Sequence, residues 1–562
     1  MSKALFKSYD QGETLLFPVS LDDKISQDSP VRLISKIVDK LDITAVLDTY
    51  IGGGTTGYHP RMLLKVLFYA YMNNIYSCRK ISGQLQENIH YMWLSGSQTP
   101  DFRTVNNFRS LHLKDTVHDL FTQVVTLLVE MGYLSIQTVY VDGTKLESRA
   151  NRYTFVWRKT VERNKAKLEE KIRSILKLIE EGIAADNQPD DDPPIPVDSK
   201  ELMKRIAEIN SKNLDREAQR AVKELQNKHL PKLEEYEGHL EIMGVRNSYS
   251  KTDENATFMR MKDDHLQNGQ LKPAYNLQIG TEHQFIVHYD LFPNAGDTLT
   301  LRPLMQKWKE RYGRMPEKLC ADAGYGSEAN YGFMEEEHIE AYVKYNYYDM
   351  EKRKSFRENI SVSQNLYYNE KEDYFVCPMG QHMKHAERTV RINERGCEST
   401  IDIYQAERCE GCPLRGACHK ASGNRQIEIN HKLRYYKRQA AERLASVEGI
   451  AHMKKRSIEP EAVFGQMKYN RQYSRFRHFG KDTVKMDFAI FAIAFNLGKM
   501  TKKRSDKTGN PNNSGNPSNK AEKSYNFALI ITSVRIAAQQ SCRICPKSGR
   551  TNLGHGSRYR AA

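Results

Sequence analysis

Gln137-Thr-Val-Tyr-Val-Asp142-Gly143 is the stretch on which the reading of the fold turns. Polar and apolar residues alternate in it, β-branched and aromatic side chains dominate, and an Asp-Gly pair closes it. It reads as a strand that stops at Asp142. Upstream the period is different. Val31–Leu47, Arg61–Tyr76, Ser77–Trp93 and Thr104–Met131 carry apolar residues three and four apart, the spacing of helices with one buried face. A glycine-rich loop, Gly52–Gly57, separates the first two. Residues 1–132 therefore read as an all-helical N-terminal domain with a helix-turn-helix-like unit. Arg79, Lys80 and Arg103 are its candidate phosphate contacts; a plain helical bundle with solvated charges is the alternative.

Downstream of Asp142 the strand signal returns at Ala274–Thr281, Phe285–Leu291, Lys318–Asp322 and Ile339–Val343. Helical spacing appears at Thr298–Tyr312 and Ser327–Glu337. The order β, β, β, α, β, α, β predicts an α/β core, a partly parallel mixed sheet flanked by helices, over residues 133–344. A charged stretch with Leu and Ile at helical spacing, split by Gln188-Pro-Asp-Asp-Asp-Pro-Pro-Ile-Pro196, predicts a helical hairpin inserted at 158–245. A Cys-containing insertion follows at 345–450, then the last helices of the core at 451–502. Residues 503–562 read as a flexible basic tail.

Of the net charge of +15 over 562 residues, ten units fall in residues 501–562, which hold 12 Lys/Arg and two Asp/Glu. The body of the chain is only mildly basic, so local clusters must carry any case for a polyanionic partner. No stretch approaches the roughly 20 apolar residues that span a bilayer, and the start lacks a signal peptide's apolar core. The expected compartment is the cytoplasm, with no membrane partner. Clustered cysteines there point to metal rather than disulfides.

Cys377-Pro-Met-Gly, Cys409-Glu-Gly-Cys412 and Cys418 supply four such thiols. The 409/412 spacing and the Cys-Pro-x-Gly turn fit a structural Zn²⁺ site, with free thiols as the alternative and Cys397 and His419 as spare ligands. Cys542-Arg-Ile-Cys545 lacks a second ligand pair. Cys78 and Cys320 read as small core residues.

Phosphodiester cleavage needs an activated water and a stabilised leaving oxygen, and a pair of Mg²⁺ (or Mn²⁺) ions supplies both. Such ions take hard oxygen ligands, so a few converging carboxylates suffice. Asp142 and Asp322 each end a predicted strand; if those strands are parallel neighbours, both acids emerge at one sheet edge. A third acid is expected on the helix that starts near Ser457-Ile-Glu459-Pro460 and runs through Tyr469. At about 100° per residue, Glu461 shares a face with Phe464, Gly465 and Lys468, while Glu459 points nearly opposite and suits a helix N-terminus. Glu461 is the preferred third acid.

Val139-Tyr-Val-Asp-Gly-Thr-Lys-Leu-Glu-Ser-Arg-Ala-Asn-Arg-Tyr-Thr-Phe-Val-Trp157, Ala321-Asp-Ala-Gly-Tyr-Gly-Ser327 and Ile458-Glu-Pro-Glu-Ala-Val-Phe-Gly-Gln-Met-Lys468 together resemble bacterial insertion-sequence transposases of the DDE class. Lys272-Pro-Ala-Tyr-Asn-Leu-Gln278 and Phe495-Asn-Leu-Gly-Lys499 extend the resemblance, which runs from about residue 15 to 500. It implies an RNase H-like core and divalent metals on Asp142, Asp322 and Glu461. It also implies hydrolysis at the element's ends, attack of the freed 3′-OH on target DNA, and recognition of terminal inverted repeats. Double-stranded DNA is the implied partner, with nucleoid association. A homodimer or larger assembly follows from having two ends to join. The Glu-x₆-Lys motif is present as Glu461 and Lys468. The Tyr and Arg that some relatives place before the Glu are matched only by Arg456.

Arg471-Gln-Tyr-Ser-Arg-Phe-Arg-His-Phe-Gly-Lys481 interleaves cations with aromatics. With Arg456, Lys468, Arg471, Arg475 and Arg477, and with Arg152 and Arg158 after Asp142, it is the expected DNA-binding set. A surface turn that buries Phe476 and Phe479 is the alternative. Two other functions fit part of this pattern: a metal-dependent nuclease without strand transfer, and a non-catalytic DNA-binding regulator.

Overall fold

The computed structural model describes residues 20–50, 57–183, 198–210, 216–261, 269–392 and 398–508. Most of the Gly52–Gly57 loop, the 188–196 turn, Cys397, and the tail with Cys542 and Cys545 lie outside them. The chain is a mixed α/β structure. Its central sheet is built from β1 (Thr138–Glu147), β4 (Thr257–Arg260), β5 (Leu271–Glu282), β6 (Phe285–Phe292), β7 (Lys318–Ala321) and β8 (Glu340–Val343). Two short strands, β2 (Phe155–Trp157) and β3 (Ser248–Ser250), pair beside it.

β1 is the middle of this sheet. On one side it runs antiparallel to β5, which pairs in turn with β6 and, at its start, with β4. On the other side it runs parallel to β7, and β7 parallel to β8. Helices Leu301–Tyr312 and Glu328–Glu336 make the parallel crossovers. The element order read from the sequence is thus present. One expectation is corrected: β1 does not stop at Asp142 but continues to Glu147. The Asp-Gly pair does not turn, because Asp142, Gly143 and the residues beyond are held in the antiparallel ladder opposite Ile279, Gln278 and the start of β5.

Helix Lys481–Thr508 joins the N-terminal helices to the sheet. It packs on Pro60–Met72, Val117–Glu130 and β6, and its residues Phe488–Leu497 are buried on every side. A helix apolar all round belongs inside a core, and here one hydrophobic cluster runs from Ile25 through the sheet to Met500. The change of composition near residue 132 is therefore not a break in packing. A buried polar network pins the join. Asp487 accepts from the Tyr71 and Tyr473 hydroxyls, Arg109 donates to Tyr71 at 2.9 Å, and Arg109 stands 3.8 Å from Asp487.

Among the described residues the expected hairpin region holds four helical segments: Arg158–Ile183, Ser199–Asn210, Arg216–Glu224 and Leu230–Met243. A π turn, Leu225–His229, links the last two. They bury a core of their own around Ile172, Leu176, Leu202 and Leu225. Residues 367–429, which carry no clear secondary-structure signal, form an antiparallel five-stranded sheet: β9 (Tyr367–Asn369), β10 (Tyr374–Val376), β11 (His382–Ile392), β12 (Glu398–Ala406) and β13 (Gln426–Ile429).

Candidate active site

The parallel ladder pairs Val139 with Leu319 and Tyr140 with Cys320. Continued two residues, the same register sets Asp142 opposite Asp322, where β7 has ended. Asp142 is 7 % exposed, and its Oδ1 accepts from the Gly143 amide at 2.8 Å. Asp322 caps a short 3₁₀ turn by accepting from the Gly324 amide at 2.9 Å. Gly143 is required by packing: a Cβ there would lie 2.1 Å from Gln278 Nε2 and 2.6 Å from Asp297 Oδ1.

Glu461 stands in the first turn of helix Pro460–Gly465, which packs on β1 and β5. The helix widens into a π turn at Gln466–Asn470. That widening changes the angular step between Glu461 and Lys468, and Lys468 is half-buried in this turn. Glu459 is buried at the N-cap position, yet its side chain does not cap the helix. Its Oε2 accepts from the Gln284 amide at 2.6 Å, in the β5–β6 turn where His283 and Gln284 both have positive φ. The two glutamates thus point to different places, and the reason for Glu459 is the strained turn rather than the helix dipole.

One side chain draws the three acids together. Arg456 Nη2 lies 3.5 Å from Asp142 Oδ2 and 3.5 Å from Asp322 Oδ2, and its Nη1 lies 3.5 Å from Glu461 Oε1. A single guanidinium is bound by carboxylates from two strand ends and one helix. Oxygen donors that share a central cation in this way are the donor type a divalent hard cation takes. As they stand, the described residues hold no group of three acids, His or Cys gathered for an ion, and Arg456 stands between the carboxylates.

A fourth acid beside them was missed from the sequence. Asp297 follows β6 in Asn294-Ala-Gly-Asp297, and its Oδ1 accepts from Asn276 and Gln278, each at 2.8 Å. The Tyr325 hydroxyl donates to Gln278 and is held well above its ordinary pKa by burial, then by Asp297, Asp142 and Asp322. The only sequence signal for Asp297 is an ordinary turn composition.

The expected DNA contacts divide. Arg152, Arg475 and Lys272 gather on Glu147 at 3.2, 3.6 and 3.4 Å, which leaves a net positive cluster at the end of β1. Arg149, also unread from the sequence, stacks on exposed Phe479 at 5.3 Å. Arg471 turns inward, donating to the Met72 carbonyl at 3.1 Å and covering Phe495. Arg477 lies over Tyr76 at 4.1 Å, and Arg158 serves the Arg246 carbonyl at 3.0 Å. Those three have structural partners, which is at odds with a primary role in phosphate binding. Phe476 is core and Phe479 is not. On the N-terminal helices, Arg79 and Arg103 flank exposed Phe102 at 5.2 and 5.8 Å.

Residues 376–501 match the family Transposase DDE domain, and residues 19–111 match the Transposase domain (DUF772). The first match takes in Glu461, β11 to β13 and Cys377, Cys409, Cys412 and Cys418; Asp142 and Asp322 lie between the two matched stretches. No curated protein and no solved structure matches. The class these matches define is a transposase, a DNA-processing enzyme of a generally divalent-metal-dependent kind whose partner is DNA. Together the two matches support an insertion-sequence transposase of the DDE class. Among the described residues no helix is long and apolar enough to cross a membrane.

Proposed function

We propose that this transposase cleaves DNA at the ends of an insertion sequence and joins the freed 3′-OH to target DNA, with Asp142, Asp322 and Glu461 as its catalytic carboxylates. The sheet order supports an RNase H-like core: three antiparallel strands followed by two parallel to the first. The observation that carries the reading is the convergence of the three acids on Arg456. Distant chain segments rarely hold three carboxylates around one point unless the point is used, since their mutual repulsion has to be offset.

The acids fit a pair of Mg²⁺ or Mn²⁺ ions by donor type. When bound, the ions would activate water or the 3′-OH and neutralise the leaving oxygen. The chain's own groups do the rest. Asp142 is held rigid by β1. Asp297, with Asn276 and Gln278, forms a hydrogen-bonded floor beneath it. Arg152, Arg475, Lys272 and Arg149 line the approach as phosphate contacts, and Lys468 stands on the helix after Glu461. Arg79, Lys80 and Arg103 are a second contact area on the N-terminal helices. The inverted repeats of the element are the expected specific DNA. Two ends must meet, so a dimer or larger assembly on DNA is part of the proposal.

The test is a gel assay with a pre-cut donor duplex bearing a 3′-OH and a second, unrelated duplex, in Mg²⁺ or Mn²⁺. The expected product is a covalent joint between them. Cleavage without any joint would make the chain a nuclease of the same core, and full cellular activity in Asp142→Ala would make it a non-catalytic DNA binder.

A further inference from the structure

The Cys-bearing sheet ends in two turns of similar form. The β10–β11 connection is Cys377-Pro-Met-Gly380, closed by the Gly380 amide donating to the Cys377 carbonyl at 2.8 Å, with Gly380 at φ +82°. After β12 comes Cys409-Glu-Gly-Cys412, with the Cys412 amide directed at the Cys409 carbonyl at 3.4 Å and Gly411 at φ +71°. Such turns present a thiol outward from a tight loop. The Arg408 amide donates to Gln381 Oε1 at 3.2 Å, which ties the two turns together. A short helix, Arg415–Cys418, then brings Cys418 and His419 back to them.

Cys377, Cys409, Cys412, Cys418, His419 and Arg425 line one cavity of about 20 Å³. That is room for a single ion or water. Its wall has the features of a ligand site rather than a core. Both ring nitrogens of His419 are shielded from solvent with no hydrogen-bond partner. Arg425, only 4 % exposed, donates its backbone N–H to Cys409 Sγ at 3.3 Å and its guanidinium to Cys418 Sγ at 2.8 Å. A buried cation and a backbone amide thus both point at sulfur in this wall. The module around them is small: eight side chains form its buried cluster. A core of that size commonly needs a metal or disulfide staple, and the described cysteines are all unpaired.

We propose that Cys377, Cys409, Cys412 and Cys418 hold a structural Zn²⁺, with Arg425 offsetting the charge of the four thiolates and His419 packed beside the ion. The thiols are not yet gathered at bonding distance. Side-chain rotation in a cavity of this size draws them in, and Zn–S bonds of about 2.3 Å follow. The site is separate from the carboxylates and stands whether or not the catalytic proposal does.

The test is metal analysis of the purified full chain. One zinc per chain is expected, released in step with the modification of four thiols by a mercurial and followed with a chromogenic chelator. Cys412→Ser and Cys418→Ser should lose the zinc, while His419→Ala and Asp142→Asn should keep it. If the serine variants do not fold, cobalt exchanged into the wild-type chain gives the second readout: sulfur-to-metal charge-transfer bands and strong tetrahedral ligand-field bands. A folded wild-type chain without zinc whose four thiols react freely, or a disulfide between any two of them, overturns the proposal. So does a zinc kept by Cys412→Ser, or one lost from Asp142→Asn. Loss from His419→Ala with retention in Cys418→Ser overturns the assignment of the fourth ligand.

Discussion

Arg456→Gln removes the cation on which Asp142, Asp322 and Glu461 converge. In the metal-free protein this should destabilise the fold. Each charge pair at 3.5 Å has a Coulomb energy of about 5 kcal/mol at an effective dielectric of about 20. Desolvation and screening reduce that sharply. The Asp322 and Glu461 side chains are 41 % and 54 % exposed, so those contacts contribute about 0.2–1 kcal/mol each. Asp142, at 9 % side-chain exposure, keeps the Gly143 amide but loses a charged contact, at about 1.5–3 kcal/mol. The net loss is therefore about 2–5 kcal/mol in the absence of divalent ions. An ion that takes the same carboxylates must displace the guanidinium from them, so the variant should bind Mn²⁺ more tightly. If only the Asp142 contact has to be broken, the gain is roughly tenfold or more, at about 1.4 kcal/mol per decade. Thermal unfolding with and without Mn²⁺, beside calorimetric titration with Mn²⁺, reads both effects. A variant that is as stable as wild type and binds Mn²⁺ no better would refute the view that Arg456 holds the place of the metal.

The remaining predictions are independent of that one. Asp487→Ala should lower stability by about 3–5 kcal/mol, because it strands buried Arg109 with two tyrosine hydroxyls. Burial raises the Asp487 pKa, but His478, Arg109 and the Tyr71 hydroxyl outweigh it and hold the carboxyl below its ordinary range. Its contribution is thus fully present above the unfolded value of about 3.9 and lost only as pH falls through the lower folded value. In Asp487→Asn the loss of wild-type stability below about pH 4, followed by chemical denaturation, should be shallower; an unchanged acid limb counts against this. Gly143→Ala should abolish strand transfer and destabilise the fold, since the new Cβ would lie 2.1 Å from Gln278 Nε2; an active, fully stable variant would show the floor to be slack. Arg152→Ala with Arg475→Ala should weaken DNA binding and flatten its salt dependence by about two units of slope, whereas Arg471→Ala should cost stability instead. Equal salt slopes for the two would erase the distinction drawn between them.

Much of the fold was legible because its signals are local. β1, β5 and β6 alternate or run apolar, and helices Leu301–Tyr312 and Glu328–Glu336 carry their period plainly. Asp142, Asp322 and Glu461 stand out as candidates because each sits where a sequence pattern changes. What was not legible depends on partners distant in sequence. The run of β1 past Asp142 depends on β5, more than a hundred residues on. The five-stranded sheet of 367–429 exposes most of β11, so its strands lack the apolar alternation that marks a buried face. The inward turn of Arg471 requires the Met72 carbonyl, nearly four hundred residues away. Asp297 looks like any turn acid until Asn276 and Gln278 are seen to hold it. The partner of Glu459, the turn at His283 and Gln284, is likewise something no helical wheel contains.

The central claim is that Asp142, Asp322 and Glu461 do the chemistry. The most direct measurement is strand transfer of a pre-cut 3′-OH donor by folded Asp142→Asn, Asp322→Asn and Glu461→Gln chains, with Glu459→Gln beside them. No joined product is expected from the first three and, from Glu459→Gln, product in proportion to the protein that folds. Joined product from any of the three carboxylate variants, or its loss from a fully folded Glu459→Gln alone, would contradict the claim.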